Sequence, residues 1–211
     1  MIMHRFSQPP VSQLFAPRGA LFFTHAMRPD GWSPKLWFNY GLGTAIRMAE
    51  RTKGEARSWA NHVGVVTQSG YLTRPAPGHE ALVSEALWKV KLHKWWEAHK
   101  DENVAIAVFR YRNLNLIQEK AIVEDAISRT GRRYAWWRLF SYLGERLTKI
   151  PFSELHVLEN RNVCSNHAGK AWEAGLGALF PERPGRLDPD DMMDFCELAQ
   201  DRIEFLGWSV V

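Results

Sequence analysis

Asn61-His62-Val63-Gly64-Val65-Val66 and, about a hundred residues later, Asn162-Val163-Cys164-Ser165 are the stretches on which the reading of this chain turns. In the first, a histidine opens an apolar, β-branched run, which predicts a strand. In the second, one of only two cysteines precedes Ala168, Ala171, Trp172 and Ala174, an Ala-rich pattern that predicts a helix with the thiol at its start. A histidine leading a strand and a cysteine starting a helix are the parts of a thiol nucleophile and its base. A free thiol is only a few per cent ionised at neutral pH, so a nucleophilic cysteine needs a lowered pKa. A helix N-terminus supplies part of that through its dipole and unpaired amides, and an adjacent imidazole supplies the rest. The imidazole in turn needs a third group to fix its tautomer. Glu85, on the next predicted strand, is the nearest candidate, with Asn61 and His79 behind it. The amide of Cys164 is placed to donate to an oxyanion.

Working outward, Ala20-Leu21-Phe22-Phe23-Thr24 predicts a short buried strand, and a Gly/Pro-rich loop runs from Met27 to Pro34. A helical pattern follows around Leu42, Ile46 and Met48. Ser69-Gly70 marks a turn after the His62 strand, and Ala81 to Leu87 is the next strand. Trp88 to His99 has helical spacing. Val104 to Tyr111 is the clearest strand. Leu116 to Thr130 predicts an amphipathic helix with Ile117, Ala121, Val123 or Glu124, and Ile127 at helical spacing, stopped by Gly131. Asp188-Pro189-Asp190-Asp191-Met192 reads as an N-capped helical turn. Residues 1–18 are aperiodic and read as an N-terminal arm, leaving 19–211 as one domain. Strands and helices in this order predict an α+β fold with a small, mostly antiparallel sheet.

Composition bounds the function. The chain has 211 residues, 45% hydrophobic and 24% charged, which describes one globular domain able to bury a core. A net charge of +4 is too small to argue for nucleic acid, and none is expected as a partner. No apolar stretch approaches the roughly 18 residues of a membrane span, and the first residues carry no signal-peptide pattern. The expected compartment is reducing cytoplasm, where Cys164 stays a free thiol. Ten tryptophans are a high number; they read as core and interface packing or, alternatively, as a sugar-stacking or membrane-facing groove.

At this point the chain resembles a known family, the circularly permuted branch of the NlpC-type papain-like superfamily. These YiiX-like proteins are distantly related to lecithin-retinol acyltransferases. Gly19-Ala20-Leu21-Phe22-Phe23-Thr24 is similar to the family's opening strand, and Asn61-His62-Val63-Gly64-Val65-Val66 to its histidine strand. Val83-Ser84-Glu85-Ala86 resembles its Val-x-Glu-Ala strand, Gly131-Arg132-Arg133-Tyr134 its Gly-x-x-Tyr element, and Val163-Cys164-Ser165 its nucleophile turn. Asp188 to Met192 resembles the Pro-containing segment after the nucleophile helix. Ala20 replaces a common Asp, and Asn166 stands where many members carry Glu. The resemblance implies a permuted papain-like fold with a central sheet packed on the nucleophile helix. It also implies Cys164 as nucleophile, His62 as base, Glu85 as orienter and Tyr134 near the oxyanion.

The expected activity is cleavage of an amide or ester bond through a thioester, by a cysteine-dependent amidase, peptidase or acyltransferase. Peptide, peptidoglycan (cell-wall peptide) or an acylated lipid or protein are the substrates the resemblance permits. Segments flanking the nucleophile and histidine are expected to line an apolar cleft, with Trp32, His79, Trp136, Trp137 and Ser165 as substrate contacts. Cys196 reads as packing. Cys164-x-x-His167 with Cys196 offers one short-spaced ligand pair where zinc sites use two, so no metal and no cofactor are expected. The alternative reading is a non-catalytic component of a phage-like particle, virion-associated and bound to protein partners in a larger assembly.

Overall fold

Val104–Phe109 is an uninterrupted apolar run because the strand it belongs to is covered on both faces there, and Leu21–Ala26 beside it is buried in much the same way. The computed structural model describes residues 6–29, 31–34, 36–37, 40–41, 43–44, 59–133, 164–182 and 187–211. In chain order the elements are β1 (Phe15–Ala16), β2 (Leu21–Ala26), β3 (His62–Gln68), β4 (Gly70–Tyr71), β5 (Leu82–Ala86) and β6 (Val90–Lys94). They continue with α1 (Trp95–His99), β7 (Val104–Tyr111), α2 (Leu116–Ser128), α3 (Cys164–Leu176), α4 (Pro189–Leu198) and β8 (Ile203–Val210). Six strands form one antiparallel sheet in the order β6-β5-β3-β2-β7-β8, and β1 pairs with β4. The fold is α+β. Among the described residues no helix is long and apolar enough to cross a membrane.

The period of two along the strands divides the core into two layers. Leu21, Phe23, Val63, Val65, Ala107 and Phe109 face one way, against Ile122 of α2, Trp172 of α3 and Met192 and Met193 of α4. Phe22, Val66, Val83, Ile106 and Val108 face the other way, against Trp95 of α1 and Leu14. Trp172 is fully buried and donates its indole N–H to Gly19 O at 2.9 Å, so its burial, worth about 4–6 kcal/mol in area terms, leaves no orphan donor. Helix α3 lies close on α2: a Cβ added at Gly175 would stand 2.5 Å from Gln118 O and 2.6 Å from Ile122 Cγ1.

Three readings of the sequence change. Val90–Lys94 is a strand, and the helix is only Trp95–His99; the spacing of Trp88, Leu92 and Trp95 gives way to a tight β5–β6 hairpin in which Ala86 pairs with Val90. Helix α2 is where the pattern put it, with an Asn115–Gln118 capping box at its start. Its buried face, however, is Ile122, Val123 and Ala126, while Ile117 is 82% and Ile127 41% exposed. The close approach of α3 turns the helix to that face. The third change is an addition, the edge strand β8, whose Ile203, Phe205 and Trp208 were a legible β signal. Segment 6–11 packs along it: Val11 donates its amide to Trp208 O at 2.8 Å and Phe6 stacks on Phe205 at 4.9 Å. The open edge of β8 is thereby covered.

Candidate active site

His62 is the first residue of β3, and the chain leading to it is held from both sides. Buried Asp190, in the first turn of α4, accepts the amides of Trp59 at 2.8 Å and Ala60 at 2.9 Å through Oδ1. Asn61 donates its amide to Thr24 O at 2.9 Å, and its Oδ1 accepts the amide of Ala26 at 3.0 Å. Helix α4 starts there because Asp188 and Asp191 form a capping box with Pro189 between them. The Asp188–Met192 motif therefore does more than start a helix: its Asp190 fixes where the histidine strand begins.

Cys164 is the first residue of α3 and is nearly buried. Its side chain hydrogen-bonds that of His62, and the amides of Val63 and Ser165 donate to its sulfur. Burial alone would push the thiol up. The hydrogen bond and positive charge of His62, together with the two amides, more than offset it, and the pKa falls below the ordinary value. Burial likewise opposes charge on His62, but its hydrogen bonds to Cys164 and Glu85 and their negative charges raise it to about 10. Each group thus favours the charged form of the other.

Glu85 completes the chain. Its Oε2 lies 2.7 Å from His62 Nε2, which leaves Nδ1 as the ring nitrogen for the sulfur. Glu85 is fully buried, yet its carboxyl is held well below the usual range. Burial raises it; the charge of His99 and hydrogen bonds from His62, His93 and His99 overcome that. His93 Nε2 stands 2.5 Å and His99 Nε2 2.8 Å from the other oxygen, Oε1, and His99 Nδ1 is 2.8 Å from Glu102 Oε2. Burial lowers His99, but the charges and hydrogen bonds of Glu85 and Glu102 raise it to about 9. The donor atoms of Glu85, His93 and His99 all lie within 4.8 Å of one another, a grouping that metal ions also use.

Helix and sheet are locked together beside this site. Ser84, the neighbour of Glu85, points to the opposite face, where it donates to Ala126 O at 3.2 Å and accepts from His167 Nε2 at 3.0 Å. Burial and then the charge of Arg129 lower His167 to about 4, so it is a neutral structural donor. Cys196 is buried in the core, and burial pushes its thiol far up.

The structure thus brings together Cys164, His62 and Glu85. Ser165 is buried, and what it offers is its amide, at the sulfur. Trp32 is 86% exposed and packs near Trp37, with ring centroids 6.5 Å apart. His79 is exposed on a turn bonded to Tyr71, past the Gln68 end of β3, about 20 Å of strand from His62. The loop that carries it does not flank the thiol. Tyr134, Trp136 and Trp137 lie outside the described residues. Asp190, His93, His99 and Glu102 were missed as site residues. For His93 the signal existed: once Val90–Lys94 is a strand paired with Leu82–Ala86, His93 falls two residues from the partner of Glu85.

No family model matches the chain, and no curated protein matches it either.

Proposed function

We propose that this chain is a cysteine-dependent hydrolase or acyltransferase of the permuted papain-like kind, acting on an amide or ester through a thioester at Cys164. The observation that carries this reading is that His62 hydrogen-bonds both Cys164 and Glu85. A lone buried cysteine is usually packing material, as Cys196 is here. Cys164 differs in having a charged base, a carboxylate behind that base and amides at its sulfur.

The chemistry follows from those contacts. The thiolate of Cys164 attacks the acyl carbon, and the carbonyl oxygen becomes an oxyanion. The amide of Cys164, first in α3 and without an intrahelical acceptor, is available to it. The imidazolium of His62 gives its proton to the leaving amine or alcohol as the carbon–heteroatom bond breaks, forming the thioester. Neutral His62 then takes a proton from water, for hydrolysis, or from an acceptor hydroxyl or amine, for transfer. The thioester is cleaved and the thiolate–imidazolium pair returns. Glu85 holds the ring and balances its charge throughout. Cell-wall peptide and acylated lipid or protein remain the substrate classes that fit.

The test is labelling with a thiol-directed acyloxymethyl ketone, with the modified residue mapped by mass spectrometry. One label at Cys164 is expected, absent in Cys164→Ala and slowed at least about a hundredfold in His62→Ala. Labelling of Cys196 in preference to Cys164, or none at all on folded protein, would overturn the reading.

A further inference from the structure

Glu85 carries more partners than an orienting carboxylate needs. One oxygen serves His62, and the other receives two further imidazoles on the sheet face opposite α3. His93 comes from edge strand β6 and His99 from α1, so three separate elements converge on Oε1. We propose that Glu85, His93 and His99 form a binding site for a divalent transition-metal ion of the zinc class, with water completing the shell.

The donor set is two imidazoles and a carboxylate, a combination that zinc takes while keeping an open position for water. His99 is prepared for the role. Its Nδ1 faces Glu102 Oε2 at 2.8 Å, the carboxylate–histidine arrangement that fixes the ring and directs Nε2 inward. With Nδ1 turned to Glu102, Nε2 is the ring nitrogen left to face Glu85 Oε1, at 2.8 Å. Stacking on Trp95, with ring centroids 4.8 Å apart, holds the ring in this orientation.

The spacing fits after a small adjustment. Donors about 2.0–2.2 Å from zinc stand about 3.3 Å from one another in a tetrahedral shell. Here two of the three separations are 2.5 and 2.8 Å and the third is within 4.8 Å, so the rings open slightly from Glu85 as the ion replaces their Nε2 protons, which leave to solvent. The His93 side chain is 21% exposed, giving the ion a route in and the ring freedom to move. The ion then sits on Oε1 while Oε2 stays on His62, so metal and nucleophile share one carboxylate, an oxygen each.

The experiment is titration of metal-free, full-length Cys164→Ala protein with Co²⁺, followed by its visible absorption, and with Zn²⁺ by calorimetry. Removing the reactive thiol leaves buried Cys196 as the remaining cysteine. One equivalent of Co²⁺ with bands of a low-coordinate site is expected, and adding His93→Ala should weaken binding at least about tenfold. Glu102→Gln should weaken it by about tenfold without abolishing it. His99→Ala removes a ring packed on Trp95 and is read only if folded; His93, on an edge strand, carries the decision. No saturable binding, or binding that His93→Ala leaves unchanged, overturns the proposal. None of these readouts requires turnover. A protein that labels at Cys164 but binds no metal loses this inference alone, and one that binds metal but never labels loses only the thiol reading.

Discussion

Glu85 and His62 meet at 2.7 Å although they are not partners in the sheet: the residue paired with Glu85 is Gly64, two positions along β3. The diagonal contact depends on the position between them being empty of side chain. A Cβ on Gly64 would come within 2.4 Å of the Phe22 ring and 3.1 Å of Glu85 Cβ. One glycine lets a carboxylate, an aromatic ring and the His62 imidazole occupy neighbouring sites.

Gly64→Ala should therefore lower stability and the reactivity of Cys164 together. Overpacking of this kind costs about 1–3 kcal/mol, and thermal unfolding reads it directly. If the melting temperature is unchanged, the Phe22 ring has room that the structure does not give it.

Glu85→Gln keeps the shape and removes the charge. The amide has one acceptor oxygen for three imidazoles, and its NH₂ group faces an imidazole N–H. The acylation rate should fall, but by less than the roughly 10²–10⁴-fold that a lost general base costs, which His62→Ala should show. Equal losses in the two variants would make Glu85 as important as the base itself and contradict an orienting role.

The pH dependence has a defined sign. Iodoacetamide reacts with thiolate, and the pKa of Cys164 lies below the ordinary 9.0 while burial moves Cys196 the other way. At about pH 6 Cys164 should alkylate much faster than Cys196, its rate falling as pH drops through the lowered pKa. In His62→Ala the advantage should disappear. Acylation also needs the imidazolium proton, which His62 keeps up to about 10, so that rate should decline only above it. Equal alkylation of both cysteines in the parent protein would remove the ion pair.

Asp190→Ala should act on the site from a distance. It strands two buried amides, Trp59 and Ala60, at a cost on the order of 3 kcal/mol. Asp190→Asn keeps an acceptor oxygen and should cost less. Urea unfolding of both variants checks the order, and the label rate at Cys164 should follow it.

The local patterns of this chain were enough to place its main strands and helices. Val104–Phe109 is apolar throughout because the strand is central, and α2 starts after Asn115 because Asn and Gln three residues apart cap it. His62 at a strand start and Cys164 at a helix start are equally local facts. The face of α2 was misread because Ile117 and Ile127 look like core, whereas the close approach of α3 at Gly175 selects Ile122 and Ala126.

What the sequence determined by itself was the list of reactive groups and the elements that carry them. Which groups meet was decided by strand register and by the hairpin between β5 and β6. Side chains alternate along β5, so Ser84 faces His167 and α2 while Glu85 faces His62, His93 and His99. A slip of one residue would exchange the two and leave His62 opposite a serine. Local propensity is blind to that choice, because the energy that settles it lies in contacts between residues as far apart in sequence as Ser84 and His167.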